Sequence, residues 1–283
     1  MARSPVVGLR AIAFSEVQMN VRLPTITPAV TDYLSWSRIS AYLRCPQQYF
    51  MRYIERVPAE HRPVALLFGT AWHDTVGVYL EQAGAAAAPE LIDVFAESFD
   101  HEIAEGDTPV HFDEAETRDT IIDTARGMIG AFCMAATPPF QLIDRERSFS
   151  MELAHPVTGE ILPVPVVGSI DAVLMRNGEK LLWELKSSKR RWTIDQLDND
   201  GQITLYRIAA RSLGHADAKL EIVVTTKTRK PDVQVERVAR HRRDERELAE
   251  LASGVLTAIE AGVDYRVRGW QCRSCQWAGS CSP

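Results

Sequence analysis

The residues with the clearest chemical potential lie between Val167 and Ser187. Asn177-Gly178 is a strong type I′ turn signal, and a symmetric hairpin centred on it sets Asp171 directly opposite Glu184. Opposed side chains in such a ladder have Cβ atoms roughly 4.5–5.5 Å apart. Lys186, two residues beyond Glu184, points to the same face. The other face is expected to carry Ile170, Ala172, Leu174, Leu181, Trp183 and Leu185, all apolar. Two facing carboxylates repel unless a cation lies between them. A hard divalent ion that takes oxygen ligands, Mg²⁺ or Mn²⁺, answers that need. The competing reading is a solvated hairpin in which Lys186 pairs with Glu184 or Asp171, and the apolar flanking strands weigh against it.

Sulfur supplies a second set. Cys272, Cys275 and Cys281 stand in C-x₂-C-x₅-C spacing, and Cys45 lies more than two hundred residues upstream. In a cytosolic chain such a cluster signals a metal site rather than a disulfide framework. Three thiolates need a fourth ligand, and a histidine or Cys45 would complete a zinc site. Cys133, inside Gly130-Ala131-Phe132-Cys133-Met134, reads as a buried, apolar-like thiol. A third set is basic: Lys186, Lys189, Arg190 and Arg191 put four positive charges in six residues, followed by Trp192. That stretch either clamps and stacks on a nucleic acid single strand or forms an ordinary exposed turn.

Helices and strands must position these groups. Ser37 is a plausible helix cap before Ile39, Tyr42 and Leu43, and Pro46 breaks that helix just after Cys45. Gly69 and Thr70 can start a helix carrying Trp72, His73, Val76 and Leu80, and helical patterning continues to about Ala135. A histidine on such a face is ordinarily a satisfied packing residue. Residues 143–186 turn to β character, with breaks at Thr158-Gly159 and Asn177-Gly178. A helix over Asp195 to Leu213, a strand over Leu220 to Thr226 and a helix over Asp244 to Ala261 follow. Residues 1–32 read as an extended arm. Helices, then a sheet crossed by a helix, then a helix make an α/β or α+β domain.

Composition sets the outer bounds. The 283 residues are 46% apolar and 25% charged, which excludes a disordered tail protein, a collagen-like fibre and a disulfide-stapled miniature domain. No apolar run suits a membrane span, and Arg10 and Glu16 interrupt any signal-peptide core, so a soluble cytoplasmic protein is expected. The net charge of −6 by itself argues against a nucleic-acid partner. It is unevenly spread: Glu90 to Asp123 holds twelve acids and one base, leaving +5 for the rest of the chain. Thr225 to Arg246 has eight Lys or Arg against four acids. Each block reads either as a solvated face or as an electropositive track beside an acidic subdomain.

Gly168-Ser169-Ile170-Asp171 followed by Glu184-Leu185-Lys186 resembles the active-site signature of the PD-(D/E)xK nuclease superfamily. The likeness extends to its RecB-like branch. Gln202-Ile203-Thr204-Leu205-Tyr206 matches a Q-x-x-x-Y element, and Phe68-Gly69-Thr70-Ala71-Trp72-His73 matches a helix with a metal-binding histidine. Ser37 to Tyr49, with Cys45-Pro46, matches the opening S-x-x-S-x-Y-x-x-C-P segment. Ordered over residues 33–283, the set is similar to CRISPR-associated iron–sulfur exonucleases and the AddB nuclease domain.

The resemblance implies a restriction-endonuclease-like α/β core with a mixed sheet flanked by helices, a helical N-terminal insertion and a C-terminal iron–sulfur clasp. The divisions would be residues 33–140, 141–262 and 263–283. It implies that Asp171, Glu184, the Leu185 carbonyl and His73 hold Mg²⁺ or Mn²⁺, with Lys186 acting on water or transition-state charge and Gln202 and Tyr206 positioning it. Glu146, in the strand before the hairpin, is a weaker supporting candidate, and a surface charge cluster with Arg145 and Arg147 is as good a reading of it. The resemblance favours a [4Fe–4S] cluster on Cys45, Cys272, Cys275 and Cys281 over zinc. The activity implied is metal-dependent exonucleolytic hydrolysis of single-stranded DNA ends, in recombination, repair or CRISPR-type processing. Lys189, Arg190, Arg191 and Trp192 would hold the strand, with recombination or CRISPR-adaptation proteins as partners and oligomers allowed. The absence of G-x-x-x-x-G-K-[ST] leaves no ATPase module in the sequence. A partner-dependent DNA-processing subunit that keeps the scaffold, and an iron–sulfur redox sensor, are the other readings.

Overall fold

The computed structural model describes residues 31–281, so the arm expected over residues 1–32 lies outside the described residues apart from its last two positions. Helix α1 (Trp36–Arg44) is capped by Ser35 rather than Ser37, the Ser35 side chain accepting the Arg38 N–H. The chain goes extended at Cys45 (φ −164°, ψ 105°) and re-enters helix in α2 (Pro46–Tyr49), which continues as a π-helical turn over Phe50–Ile54. Proline at a first helical position gives up only a donor with no helical acceptor. The Cys45-Pro46 step thus divides two helices cleanly and leaves Cys45 between them. Strand β1 (Arg62–Pro63) leads into α3 (Val64–Glu81), which starts five residues before Gly69; Pro63 sets its first turn and Gly69 lies inside it. Helix α4 (Ala88–Ala104), strand β2 (Val110–His111) and α5 (Arg118–Ala135) complete the helical part, with β2 pairing in parallel with β1.

The sheet comprises β3 (Gln141–Met151), β4 (Val166–Arg176), β5 (Glu179–Ser188), β6 (Lys219–Thr226) and β7 (Val233–Val238), in that spatial order. Only β5 and β6 run parallel. Their crossover is two helices, α6 (Ile194–Asn199) and α7 (Gly201–Ser212), where one was expected. Asp200 divides them: its backbone is extended and its carboxylate accepts the Ile203 N–H, capping α7. Strand β7 was not expected, because it is six residues, half of them polar, inside a basic run. Helix α8 (Arg242–Glu260) and a 3₁₀ turn over Trp270–Ser274 follow.

Both sheet faces are buried, giving three layers. Helices α1, α7 and α8 cover the face carrying Ile170, Val173, Leu182 and Ile222, while α3, α4 and α5 cover Ala172, Leu174, Leu181, Trp183 and Leu185. The mixed α/β sheet flanked by helices is the fold expected. Ile170 is a correction: it packs with the α1/α7/α8 layer, not with Ala172 and Leu174. The hairpin is also not half-exposed, since the face shared by Asp171 and Glu184 is packed by helices. No helix among the described residues is long and apolar enough to cross a membrane.

Candidate active site

The β4–β5 hairpin forms around Asn177 (φ 52°) and Gly178 (φ 77°), both left-handed as a type I′ turn requires. From Arg176↔Glu179 to Ala172↔Trp183 the pairs keep the expected register, and the ladder stops there. The neighbouring strand is irregular at the same height. Glu146 of β3 is left-handed (φ 48°) between the pairs Arg145↔Ala172 and Arg147↔Ile170, at the height of Asp171. The register is the same on either side of Glu146, and the β3 register shift lies further along, between Leu142 and Asp144. Asp171 Oδ2 accepts the Leu185 N–H at 2.7 Å, so a side chain bonds β5 where the ladder has ended. Ile170 and Ala172, two residues apart, face opposite layers across this point.

Around this point the expected residues converge. Glu184 is fully buried, neither oxygen receives a well-formed hydrogen bond, and the Lys186 ammonium lies against Oε1 as an ion pair. Lys186 Nζ also donates to Gln202 Oε1 at 2.9 Å, Gln202 Nε2 to the Tyr206 hydroxyl at 3.1 Å, and that hydroxyl to Asp171 Oδ1 at 3.3 Å. Gln202 and Tyr206 can act in one chain because i, i+4 places them on one face of α7. His73, in α3, has Nδ1 3.8 Å from Asp171 Oδ1 and hydrogen-bonds the Leu185 backbone.

Burial dominates the electrostatics. It pushes the Asp171 carboxyl up to about 6, against the Leu185 N–H and the Lys186 charge. Burial and then the neighbouring Asp171 charge push Glu184 up to about 8. Burial lowers the His73 pKa, favouring the neutral imidazole that can serve as a ligand. Burial also opposes the Lys186 charge, but the Glu184 carboxylate outweighs it and holds the ammonium above its ordinary value. Two buried carboxylates with one ammonium are short of positive charge, and a buried acceptor without a donor is costly. The donor set of two carboxylates, a carbonyl and a neutral imidazole fits Mg²⁺ or Mn²⁺. Among the described residues no three His, Cys, Asp or Glu side chains stand as a ready metal cage.

Several supporting residues carry no motif of their own. Gly168 of β4 pairs directly with Phe149 of β3, whose ring crosses it and meets Tyr206 edge-on with centroids 6.4 Å apart. Gly201, next to Gln202, lies under the Trp36 ring, where a Cβ would stand 2.2 Å from Cζ3. Buried Arg240 donates to Thr204 Oγ1 at 2.9 Å, to the Leu197 carbonyl at 2.7 Å and to the Asp200 carbonyl at 3.2 Å, fixing the α6–α7 joint. A close-packing glycine is invisible in a sequence until its neighbour is known. Arg240 reads there as one more charge in a basic run.

The basic stretch is less available than its composition suggests. Lys189 pairs with Asp113 at 3.3 Å, and Arg191 pairs with Asp232, while Arg190 makes no side-chain ion pair among the described residues. Trp192 is half-buried, its ring 5.9 Å from Lys186 Nζ, and its backbone is bonded both ways by the buried Gln234 amide. Its ring thus lies beside Lys186.

The cysteines also meet. Cys45, Cys272, Cys275 and Cys281 line one cavity of about 320 Å³. Burial, then the other three sulfurs, raises the Cys275 pKa. The tail is stitched to the first helices: the Tyr42 hydroxyl donates to the Val263 carbonyl at 2.8 Å, and buried Trp277 Nε1 to the Val57 carbonyl at 2.8 Å. Four thiolates fit a [4Fe–4S] cluster, and four thiolates also satisfy tetrahedral zinc. Cys133 is half-buried in α5, and burial raises its thiol pKa, in keeping with a packing role.

Comparison with known proteins places these residues in a wider group. No curated protein matches the chain in sequence. A crystal structure from Eubacterium rectale, of a protein assigned as an exonuclease, superimposes with a TM-score of 0.51 at 16% identity, over 89% of each chain. At that identity the likeness is one of fold. The sequence from residue 33 to 282 matches the PD-(D/E)XK nuclease superfamily, a span that includes the hairpin, both α7 residues, His73 and all four converging cysteines. The chain belongs to the PD-(D/E)XK nuclease superfamily.

Proposed function

We propose that this nuclease is a divalent-metal-dependent exonuclease acting on single-stranded DNA ends, in recombination, repair or CRISPR-type processing. The observation that carries the reading is Glu184: fully buried, without a well-formed hydrogen bond, beside Asp171 and in contact with Lys186. Asp171, Glu184, the Leu185 carbonyl and His73 are the proposed holders of Mg²⁺ or Mn²⁺. Such an ion neutralises charge on the scissile phosphate and acidifies water. Lys186 Nζ, fixed by Gln202 Oε1 at 2.9 Å, orients the attacking water or stabilises the charge that develops. Tyr206 and Gln202 hold Asp171 and Lys186 in register, and Trp192 keeps bulk water from Lys186. Arg190, with Lys189 and Arg191 once their acidic partners exchange for phosphate, supplies the track for the strand. Cys45, Cys272, Cys275 and Cys281 are the proposed ligands of a [4Fe–4S] cluster that clasps residues 263–283 to the helical part.

The test is end-labelled single- and double-stranded DNA incubated with Mg²⁺, Mn²⁺ or EDTA, for the wild type and Lys186→Ala. Shortening of single strands from an end, lost in EDTA and reduced roughly 10²- to 10³-fold in the variant, is expected. Cleavage that persists in EDTA, or full activity in Lys186→Ala, overturns the proposal.

A further inference from the structure

Lys227 immediately follows β6, and its backbone N–H donates to the Ser188 carbonyl at the end of β5. It therefore lies at the carboxyl end of the parallel pair, the side on which open α/β sheets take ligands. Lys189, three residues past Lys186, is about 10 Å further along the strand. The two lysines line a cavity of about 620 Å³ with Phe68, His111, Glu116 and Ser274. The first turn of α3, which no side chain caps, forms another wall through Val64 and Ala65. The four acids and bases here are not alike. Lys189 and Asp113 satisfy each other, and Glu116 accepts the Asp113 N–H at 3.2 Å. Lys227 is half-buried over the Phe68 ring, 4.6 Å from its centroid, and makes no carboxylate ion pair among the described residues. A lysine kept there destabilises the fold, since burial lowers its pKa with only Glu116 opposing at a distance. A charge held at a cost, with an aromatic face but no carboxylate ion pair among the described residues, at the ligand-bearing end of the sheet, suits an anion.

We propose that this cavity is a second phosphate site, in which Lys227 receives a backbone phosphate of the nucleic acid strand whose scissile bond lies at Asp171 and Glu184. The site rests on the nuclease reading and adds a contact remote from the reacting bond. It predicts opposite effects on binding and stability. The probe is a fluorescent single-stranded oligonucleotide, titrated in EDTA at several salt concentrations against the full-length wild type, Lys227→Met and Lys227→Arg. Lys227→Met is expected to bind roughly tenfold more weakly, with the slope of log K against log salt reduced by about 0.7, yet to melt at or above the wild-type temperature. Lys227→Arg is expected to keep the slope. Lys227→Met with wild-type affinity and slope, or with a lowered melting temperature, overturns the site and leaves the nuclease reading standing. A wild type that neither binds the oligonucleotide nor cuts DNA in Mg²⁺ overturns both.

Discussion

Gly168→Ala tests how the active site is held rather than what it does. A methyl at Gly168 would stand 2.5 Å from Phe149 Cζ and 3.0 Å from Cε1, where ordinary contact begins at 3.4 Å, so the ring must retreat by about 1 Å. It has little room: Phe149 is 9% exposed, and its ring stands at 89° to that of Tyr206, which is 1% exposed. The displacement therefore passes to the Tyr206 hydroxyl, whose bond to Asp171 is already long at 3.3 Å. Overpacking costs about 1–3 kcal/mol, a fall in Tm of roughly 2–10 °C for a chain of this size. Losing a hydrogen bond to a charged acceptor costs about 1.5–3 kcal/mol, or about 10- to 100-fold in kcat. Thermal unfolding and steady-state cleavage should be measured for the wild type, Gly168→Ala, Phe149→Leu and the double variant. The smaller leucine makes room for the methyl, so the double variant should be less impaired than the two single effects combined. A Gly168→Ala protein with unchanged melting and activity, or a double variant as poor as the sum, would refute the chain of contact from Gly168 to Asp171.

Three further outcomes follow from the same geometry. Because burial and Asp171 raise Glu184 to about 8, the folded metal-free protein binds more protons than the unfolded chain between about pH 4.5 and 8. Its stability in EDTA should fall as pH rises through that window and be restored by Mg²⁺. Relative to a Glu184→Gln control the slope should be visible in thermal melts, and a wild type that gains stability with pH against that control contradicts it. Arg240→Met leaves the Leu197 and Asp200 carbonyls and Thr204 without their donor, at about 1–3 kcal/mol for each buried group. Urea unfolding should show a loss of several kcal/mol, and kcat should fall with little change in KM; unchanged stability removes Arg240 from the α6–α7 joint. Cys272→Ala should lose visible absorbance after anaerobic purification, lower the melting temperature and weaken DNA cleavage. Unchanged melting and activity would show that the tail needs no clasp.

What could be read in advance was local chemistry with a fixed period. Asn177-Gly178 sets the hairpin and i, i+4 spacing joins Gln202 to Tyr206, while Asp171 and Glu184 come together just past the last regular pair, Ala172↔Trp183, rather than as a ladder pair. The Cys45-Pro46 step marks a helix break for the same reason, that proline has no N–H to give. The departures arise where a neighbour decides. Ile170 and Ala172 fall in opposite layers where regular pairing ends at Asp171, a break that two-residue alternation does not announce. The single helix over Asp195 to Leu213 divides because Asp200 caps a new one, and Gly69 lies inside a helix that Pro63 starts. Gly168, Gly201 and Arg240 are legible only after Phe149, Trp36 and the Leu197 carbonyl are in place.

The burial of the hairpin changes the argument for a metal more than its register does. On an exposed face, Lys186 alone could compensate Glu184, and solvent would screen what was left. With α7 packed over them, the same three side chains leave one carboxylate uncompensated in a medium where an unpaired charge is expensive. The pair must then hold a proton or a cation, and raised values near 6 and 8 are the form that demand takes without the cation. A solvated hairpin would have produced neither shift. The helices that bury Glu184 thus create the requirement for a proton or a cation, a demand the proposed Mg²⁺ or Mn²⁺ would meet. Helix α7 brings Gln202 and Tyr206, which hydrogen-bond Lys186 and Asp171, to the same point.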